Sequence, residues 1–493
     1  MSKFIKLISL MLACLMLVSV LVSCNDTQQT DDPKESTDDS VATTVAQTEE
    51  EPKTKLPEMN WEGAEYRILG RQYTEDVFTN FEVDRDAMPE DVVGLAVWNR
   101  NTALMQKYGI DVVGTLVEKP FDSAKVFLDA GDDLYDLIIC QNSNMQTFAM
   151  AGQLVNINNL NHINLEHDAW NDYANTQLTF GGKLYYTTNK FLLQDKHRTW
   201  IVWYNRTMAR ELNIGYLETE VFEGMWTLDR LIEIAKLGSA ETNGEDGMTG
   251  GDKWGVTLSS IGNFAQLAYG SDFRLSDMGS DGYPTLIGAT DRMVSILDKV
   301  LLLTSDTETC YVQALRPDGE GMSAAEIYRE GRAVVMTHAV SWFSNLHRLD
   351  FEYGVLPAPK YTAEQDGYRC FPDANNGTLF AVPATIGDIN KAGFGLQAIS
   401  EESVATSYKE YVETKCKLQI AFDEDMSKCL NIIFDSIVYD IAFLDDYGGF
   451  AKVISSDIPK GYSNIYGRMY DKYKKKATNQ IGKIKEAYAA LPY

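Results

Sequence analysis

Hydrophobic residues alternate between two spacings along most of the chain. Val93, Val97 and Leu104 recur near helical spacing, and Gly109 follows them as a stop signal. The run "YDLIIC", which ends at Cys140, is short and continuously apolar, as in a strand buried on both faces of a parallel sheet. Similar helix-like and strand-like stretches keep alternating, and the chain is helix-rich from about Ser400. This order predicts an α/β architecture with mainly parallel sheets.

The N-terminal segment has the pattern of a secretion signal. Lys3 and Lys6 precede an uncharged apolar run that is somewhat short for a membrane span, which needs roughly 20 residues. The run ends in "LVSC", which resembles the lipobox of bacterial lipoproteins. That resemblance implies a signal peptide over residues 1–23 and a diacylglyceryl group on Cys24, which would hold the protein at a membrane surface. A plain secretory signal with an incidental cysteine is the alternative.

Residues 24–57 differ in composition from the rest of the chain. They are rich in Thr, Ser, Asp and Glu and contain no aromatic residue. Such a segment cannot bury enough apolar surface to offset its ordering entropy. The composition of residues 24–57 predicts a disordered acidic stalk between the membrane anchor and a folded body outside the cytoplasm.

Charge and cysteine usage narrow the class of protein. The net charge is −27, from 44 Lys and Arg against 71 Asp and Glu. An acidic surface repels phosphates, so nucleic acids and direct binding to anionic membranes are excluded as partners. Five cysteines remain in the body, far apart and without a C-x-x-C pair, which predicts buried free thiols rather than disulfides or a zinc site.

The sequence lacks the common catalytic motifs. It contains no G-x-S-x-G elbow, H-E-x-x-H helix or phosphate-binding G-x-x-x-x-G-K-[ST] loop. Residues 393–398 match G-x-G-x-x-A, but they follow "DINKA" rather than a strand. His162 and His167 are five residues apart, the wrong spacing for one helical face. We therefore expect no cofactor, no metal and no catalysis.

Ligands of open α/β sheets bind outside the carboxyl ends of the strands. That rule selects the residues that follow each predicted strand, which are mostly amide-bearing, aromatic or small and polar. They are Arg71 to Tyr73, Gln141 to Asn144, Tyr204 with Asn205, and His338 to Trp342.

Several stretches together resemble a known family. "GGKLYYTTNKFLLQDKHRTWIVWYNRTMARELNI" resembles a segment that crosses a hinge, and "YREGRAVVMTHAVSWFSNL" resembles a unit of short helix, strand and Trp. "YGVLPAPK" and "NNGTLFAVPA" resemble the strand that returns through the hinge and the strand after it. The order of these stretches is similar to that of extracellular solute-binding protein family 1, the maltose-binding-protein-like lipoproteins of carbohydrate ABC transporters.

The resemblance implies a two-lobed periplasmic-binding-protein-like fold of type II, with hinge strands joining two sheets flanked by helices. Lobe 1 would comprise residues 58–187 and 360–410, and lobe 2 residues 188–359 and 411–493. A monomer at the outer face of the cell membrane would close on a sugar or oligosaccharide and dock on an ABC permease. The second Trp that maltose binders have close to the first is absent here, where Phe343 follows Trp342 directly, so the same sugar is not implied.

A pyranose offers one face of C–H groups to an aromatic ring and a rim of hydroxyls to polar side chains. The predicted ring platform is Trp342, with packing in the core or between the lobes as its alternative role. Tyr204 is a second platform candidate, while Trp203 alternates to the opposite face and is more typical of core. His338 is interpreted as structural. The predicted partners of the hydroxyl rim are Asn142, Arg71, Asn376 and Asp440.

Three alternatives stay open from the sequence. The receptor could take another solute, such as a peptide or a polyol. A surface glycoside hydrolase would need two carboxylates about 5–10 Å apart in the cleft. An adhesion or structural lipoprotein would have no enclosed cleft between lobes.

Overall fold

The chain forms an α/β structure around two main sheets. A computed structural model describes residues 56–72, 83, 91–260, 262–315, 322–373, 377–460 and 465–492. The strands are β1 (Ala64–Arg71), β2 (Ile110–Val117), β3 (Leu137–Gln141), β4 (Trp200–Asn205), β5 (Trp254–Leu258), β6 (Ser276–Met278), β7 (Pro284–Leu286), β8 (Cys310–Val312), β9 (Ala333–Ala339), β10 (Tyr353–Leu356) and β11 (Thr378–Ala381).

Helices cover both sheets and make up most of the C-terminal part. The α-helices are α1 (Val92–Tyr108), α2 (Pro120–Ala130), α3 (Met145–Met150), α4 (Asp172–Leu178), α5 (Gln194–His197), α6 (Arg206–Glu211), α7 (Leu217–Phe222), α8 (Leu228–Gly238), α9 (Asn263–Gly270), α10 (Asp291–Thr304), α11 (Ala324–Arg329), α12 (Ile389–Ser403), α13 (Glu424–Asp435), α14 (Ile441–Leu444), α15 (Phe450–Lys452) and α16 (Ile465–Ala490). Shorter 3₁₀ turns include Val340–Arg348, and π-helical turns include Val404–Tyr408 and Glu410–Leu418.

The two sheets correspond to two lobes. The first has the strand order β11-β3-β1-β2 and the second β10-β4-β9-β5-β8. Parallel pairs join β1 to β2 and β3 in the first sheet, and β5 to β8 and β9 in the second. The strands next to the hinge, β11 and β4, pair antiparallel to β3 and β9. The predicted α/β class with parallel sheets and two lobes is confirmed. The antiparallel strands β4 and β11 are those that the chain enters from the hinge.

Chain segments cross between the sheets side by side. The segment that leads from Thr187 to β4 and the segment that leads from β10 to β11 meet at a bridge between Thr199 and Pro372. The Trp200 amide also donates to the Phe371 carbonyl at 3.2 Å. Paired extended segments of this kind form the hinge of the molecule.

The G-x-G-x-x-A match lies inside α12 and serves packing. A Cβ on Gly393 would lie 2.3 Å from the Asn161 carbonyl oxygen, and one on Gly395 would lie 2.3 Å from the Tyr66 ring. Gly393 lets α12 approach the backbone at Asn161 and Gly395 lets it approach Tyr66 of β1, which explains the motif without a nucleotide. The five cysteines of the body, Cys140, Cys310, Cys370, Cys416 and Cys429, are buried free thiols as predicted.

Candidate ligand-binding cleft

A cavity of about 420 Å³ lies where the two sheets face each other across the hinge. The first sheet contributes Ser143, which follows β3, and the second contributes Ser260, which follows β5. The carboxyl ends of parallel strands in both lobes therefore border the same space, as the strand-end rule predicts. The lining residues are Ser143, Trp200, Ser260, Gly262, Ala265, Phe371, Pro372, Asp373, Phe443, Leu444, Asp446, Ala451, Lys452 and Ser455.

Trp200 is the largest aromatic residue in the wall of this cavity. It opens β4 and pairs with Ala339, the last residue of β9. Because β4 runs antiparallel to β9, the amino end of β4 lies at the same edge as the carboxyl ends of β5 and β9. The Trp200 side chain is partly exposed, and its ring centroid lies 5.8 Å from that of His338.

Two phenylalanines extend the aromatic wall. Phe371 stacks on Tyr269 with ring centroids 4.2 Å apart and planes 10° apart. Phe443 meets Phe371 edge-on at 5.1 Å. These contacts fix the rings, so the wall is rigid and costs little entropy to order around a ligand.

Polar groups surround the aromatic wall. Asp446 has a left-handed backbone with φ of 46°, and its carboxylate accepts a hydrogen bond from the Ala451 amide at 2.7 Å. The Ser260 amide donates to Asn263 Oδ1 at 2.8 Å, which holds the loop after β5. Hydroxyl, carboxylate and ammonium groups thus stand beside apolar rings. This arrangement suits a ligand with an apolar face and a hydroxylated rim.

The structure places Trp342 in the core rather than in the cavity wall. Its side chain is 4% exposed, and its ring lies 5.5 Å from Trp203 and 5.6 Å from Tyr328. The 3₁₀ turn Val340–Arg348 carries the ring back beneath the sheet. Trp342 therefore occupies the core role that the sequence had left as the alternative, and it supports Trp200 through His338, whose ring lies 6.2 Å from it.

Tyr204 and Trp203 are also buried. The Tyr204 hydroxyl donates to the Glu218 carboxylate, and Arg206 Nε donates to the same carboxylate at 3.0 Å. Burial raises the pKa of Tyr204. The prediction took the carboxyl end of β4 as the ligand edge, but the antiparallel direction of β4 puts Trp200 there and Tyr204 at the opposite end. The sequence-based prediction missed Trp200, although Trp200 is the first aromatic residue of "TWIVWYN" and Tyr204 is the last.

Asn142 lies directly behind the cavity. It precedes the lining residue Ser143, is 1% exposed, and its amide donates to the Gly377 carbonyl at 3.1 Å. A Cβ on Gly377 would lie 2.5 Å from Asn142 Nδ2 and 2.9 Å from the Asp373 carbonyl oxygen, so a larger residue at position 377 would force these groups to shift. Arg71 ends β1 opposite Val117 and is partly exposed. Asn376 and Cys24 lie outside the described residues.

Asp440 is a structural carboxylate. It is 2% exposed and precedes α14 as its N-cap. Its oxygens accept hydrogen bonds from the Tyr269 hydroxyl at 2.9 Å, the Leu275 amide at 2.7 Å and the Ser276 hydroxyl at 2.6 Å. These bonds join α9, the chain before β6 and α14, which leaves the carboxylate engaged with the protein rather than with the cavity.

His338 is the third ring of a row with Trp200 and Trp342. Burial lowers its pKa to about 4, so the ring is neutral at physiological pH. A neutral imidazole between two indoles packs as an aromatic spacer. This position agrees with the structural role that the sequence suggested for His338.

The buried imidazole makes a testable contribution to stability. Between pH 6.5 and 4 the unfolded chain binds a proton at His338 that the folded protein does not bind. The contribution of the neutral His338 ring to the free energy of unfolding is therefore complete above pH 6.5. It is lost at about 1.4 kcal/mol per pH unit as the pH falls toward 4. Urea unfolding of wild type and His338→Phe from pH 4 to 8 should show their difference in unfolding free energy constant above pH 7 and falling below 6.5. A difference that stays constant at all pH values would contradict the neutral ring.

Among the described residues, no group of three or more His, Cys, Asp and Glu side chains is placed to hold a metal ion. No helix in the described part of the chain is both long and apolar enough to cross a membrane.

Comparison with known proteins shows the fold. No protein-family model and no curated protein matches the chain. The cyclic α-maltosyl-1,6-maltose binding protein from Arthrobacter globiformis aligns with a TM-score of 0.55 and 13% identity, covering 86% of this chain and 99% of that one. The fold is that of ABC-transporter substrate-binding proteins.

Two further structures share this fold. The ABC substrate-binding protein Lmo0181 from Listeria monocytogenes, in complex with cycloalternan, has a TM-score of 0.52 and 13% identity over 85% of this chain and 99% of that one. UgpB from Mycobacterium tuberculosis, in complex with glycerophosphocholine, has a TM-score of 0.52 and 14% identity over 78% and 95%. The neighbours are binding proteins, and they match nearly their whole length, so both lobes of the substrate-binding fold are present here.

Proposed function

We propose that this protein is an extracytoplasmic receptor that captures a sugar or oligosaccharide between its lobes and delivers it to an ABC importer. The observation that carries the proposal is the cavity at the carboxyl ends of both sheets, with Trp200 as a ring platform beside serine, aspartate and lysine side chains. The neighbours in complex with cycloalternan and glycerophosphocholine bind hydroxylated solutes on the same fold. The lipobox-like "LVSC" supports a lipid anchor on Cys24 at the outer face of the cell membrane.

Ligand capture follows from the placement of the cleft. Ser143 belongs to one lobe and Ser260 to the other, so a ligand that contacts both brings the lobes together across the hinge. The partly exposed Trp200 ring would cover the C–H face of a pyranose, while Phe371 and Phe443, which line the same cavity, are 3% and 6% exposed. Asp373, Asp446 and Lys452 would bond the hydroxyl rim. The closed, loaded receptor would then dock on its permease.

The ligand class is tested by calorimetry of the purified protein against a panel of neutral mono- and oligosaccharides, polyols and short peptides. We expect binding of at least one sugar at micromolar affinity, with quenching or enhancement of tryptophan fluorescence because Trp200 lies in the cavity wall. If peptides bind and no sugar does, the proposed ligand is a peptide and not a sugar. Absence of binding by every member of the panel would contradict the receptor proposal.

A glycoside hydrolase is the second candidate, and one observation favours it. Asp373 and Asp446 both line the cavity, as the paired carboxylates of such an enzyme would. A general acid of this type is normally kept protonated by an apolar, buried environment, whereas Asp446 is exposed. This exposure favours a hydroxyl-binding role. Chromatography of the oligosaccharides after overnight incubation with the protein separates the two, since a receptor returns them intact.

A further inference from the structure

A second cavity, of about 530 Å³, shares no lining residue with the cleft. It falls in the size range of small-molecule sites, roughly 300–1,000 Å³. Charged and aromatic side chains dominate its wall. The lining residues are Ala169, Trp170, Asn171, Asp172, Tyr173, Asn189, Lys190, Lys196, Arg274, Arg369, Tyr408, Phe434, Asp435, Ser436, Ile437 and Val438.

Two guanidinium groups give one end of this cavity a positive charge. Arg274 and Arg369 lie 3.2 Å and 3.8 Å from the Asp272 carboxylate, which Arg292 also approaches at 3.6 Å. One carboxylate thus faces three guanidiniums, which leaves two positive charges in excess among these four residues. In a chain of net charge −27, such a local excess is a specific feature rather than a general property of the surface.

Backbone contacts hold both guanidiniums in place. Arg274 donates to the Phe273 carbonyl at 3.1 Å, and Arg369 donates to the Tyr368 carbonyl at 2.8 Å. Their side chains are 18% and 27% exposed, so they are accessible from the cavity. A guanidinium has five N–H donors in a planar fork, which matches the two oxygens of a carboxylate.

The two lysines of the wall are arranged differently. Lys196 pairs with the buried Asp195 at 2.8 Å, and Lys190 pairs with Asp168 at 3.4 Å. The Lys190 and Lys196 ammonium groups lie over the Tyr408 ring, 5.3 Å and 5.7 Å from its centroid respectively. Each lysine therefore has its own counter-charge, whereas Arg274 and Arg369 share the single Asp272 carboxylate with Arg292.

Two aspartates in the wall restrict the chemistry of a ligand. Asp172 and Asp435 line the same cavity and would repel a simple inorganic anion. They would instead accept hydrogen bonds from hydroxyl groups. Tyr173, 38% exposed, offers a ring face beside them.

We propose that this cavity binds a sugar acid, with its carboxylate on Arg274 and Arg369, its hydroxyls on Asp172 and Asp435, and its ring against Tyr173. A neutral sugar would leave Arg274 and Arg369 with only the Asp272 carboxylate, which they share with Arg292, and a simple anion would meet the two aspartates. A sugar acid can pair with the two arginines through its carboxylate and with the two aspartates through its hydroxyl groups. The inference goes beyond the proposed receptor function and does not depend on it.

The test is calorimetric titration of the full chain with D-glucuronate, using D-glucose and acetate as matched probes for the hydroxyls alone and the carboxylate alone. We expect glucuronate to bind more tightly than either probe, and to weaken at least tenfold in Arg274→Gln and in Arg369→Gln. Arg348→Gln removes an exposed arginine outside the cavity and should leave the affinity unchanged. Thermal melts establish that each variant is folded, and two separate variants guard against the misfolding of one.

The Trp200→Ala variant separates this cavity from the cleft. Glucuronate binding at the second cavity should be retained in Trp200→Ala. Loss of glucuronate binding in Trp200→Ala but not in Arg274→Gln would place the sugar acid in the cleft and overturn the proposal. Equal binding of acetate and glucuronate, or no binding of glucuronate, would overturn it as well, while leaving the receptor proposal for neutral sugars intact.

Discussion

Replacement of Trp200 by alanine is expected to weaken sugar binding about 30- to 150-fold. The ring lies in the wall of the cavity, partly exposed and backed by His338. Covering about 100 Å² of apolar ligand surface at about 25 cal/mol per Å² is worth about 2–3 kcal/mol, and each 1.4 kcal/mol is about a tenfold change in dissociation constant. Calorimetry with the tightest sugar of the panel measures the change directly.

The matched control is Trp98→Ala. Trp98 lies on α1 in the first lobe and is also partly exposed, but it does not line the cavity. Its loss should leave the sugar affinity within about twofold of wild type. A Trp200→Ala variant that is folded by circular dichroism and binds sugar as tightly as wild type would remove Trp200 as the platform. The aromatic contact would then have to come from Phe371 or Phe443.

Replacement of Asp440 by alanine is expected to lower the free energy of unfolding by about 3–5 kcal/mol, because buried donors lose their acceptor. Asp440 is 2% exposed and accepts bonds from the Tyr269 hydroxyl and from the amide and hydroxyl of Ser276, among others. Asparagine at this position keeps one acceptor oxygen and should cost less. Guanidinium unfolding followed by tryptophan fluorescence gives the values.

A surface aspartate provides the comparison. Asp471 on α16 pairs with Lys474, and its side chain is 71% exposed. Exposed ion pairs contribute about 0–1 kcal/mol, so Asp471→Ala should unfold almost as wild type does. If Asp440→Ala unfolds like wild type but no longer binds sugar, Asp440 acts on the ligand, as the sequence had suggested, and its structural role is refuted.

The sequence predicted the fold through features that depend on local pattern. "YDLIIC" formed the buried strand β3, and Gly109 ended α1 with a left-handed φ of 63°. The strand-end rule also selected Gln141 to Asn144, and Ser143 of that stretch lines the cavity. Apolar periodicity and glycine stops act over a few residues, so they are readable without knowledge of the remainder of the chain.

The proposed platform residue, Trp200, could not be predicted in the same way. Whether Trp200 or Tyr204 faces the cleft depends on the direction of β4 relative to β9, which is set by pairing across about 135 residues and not by the composition of the strand. Trp342 follows β9 at the expected edge, but the 3₁₀ turn after the strand buries its ring. Asp440 is polar and precedes a helix, and its burial follows from contacts with segments far away in sequence.

The attachment of Trp200 to the hinge has a consequence for the order of events during capture. Its amide is bonded to Phe371 of the neighbouring crossing segment, so the ring sits near the pivot, where a rotation of the lobes produces the smallest displacement. The polar groups of Ser143 and Ser260 lie on the two lobes that would move. In the proposed receptor, a sugar would therefore meet the ring in the open state and keep that contact throughout closure. The contact with the Trp200 ring would set the affinity of the first encounter, and the contacts with Ser143 and Ser260 would set the residence time.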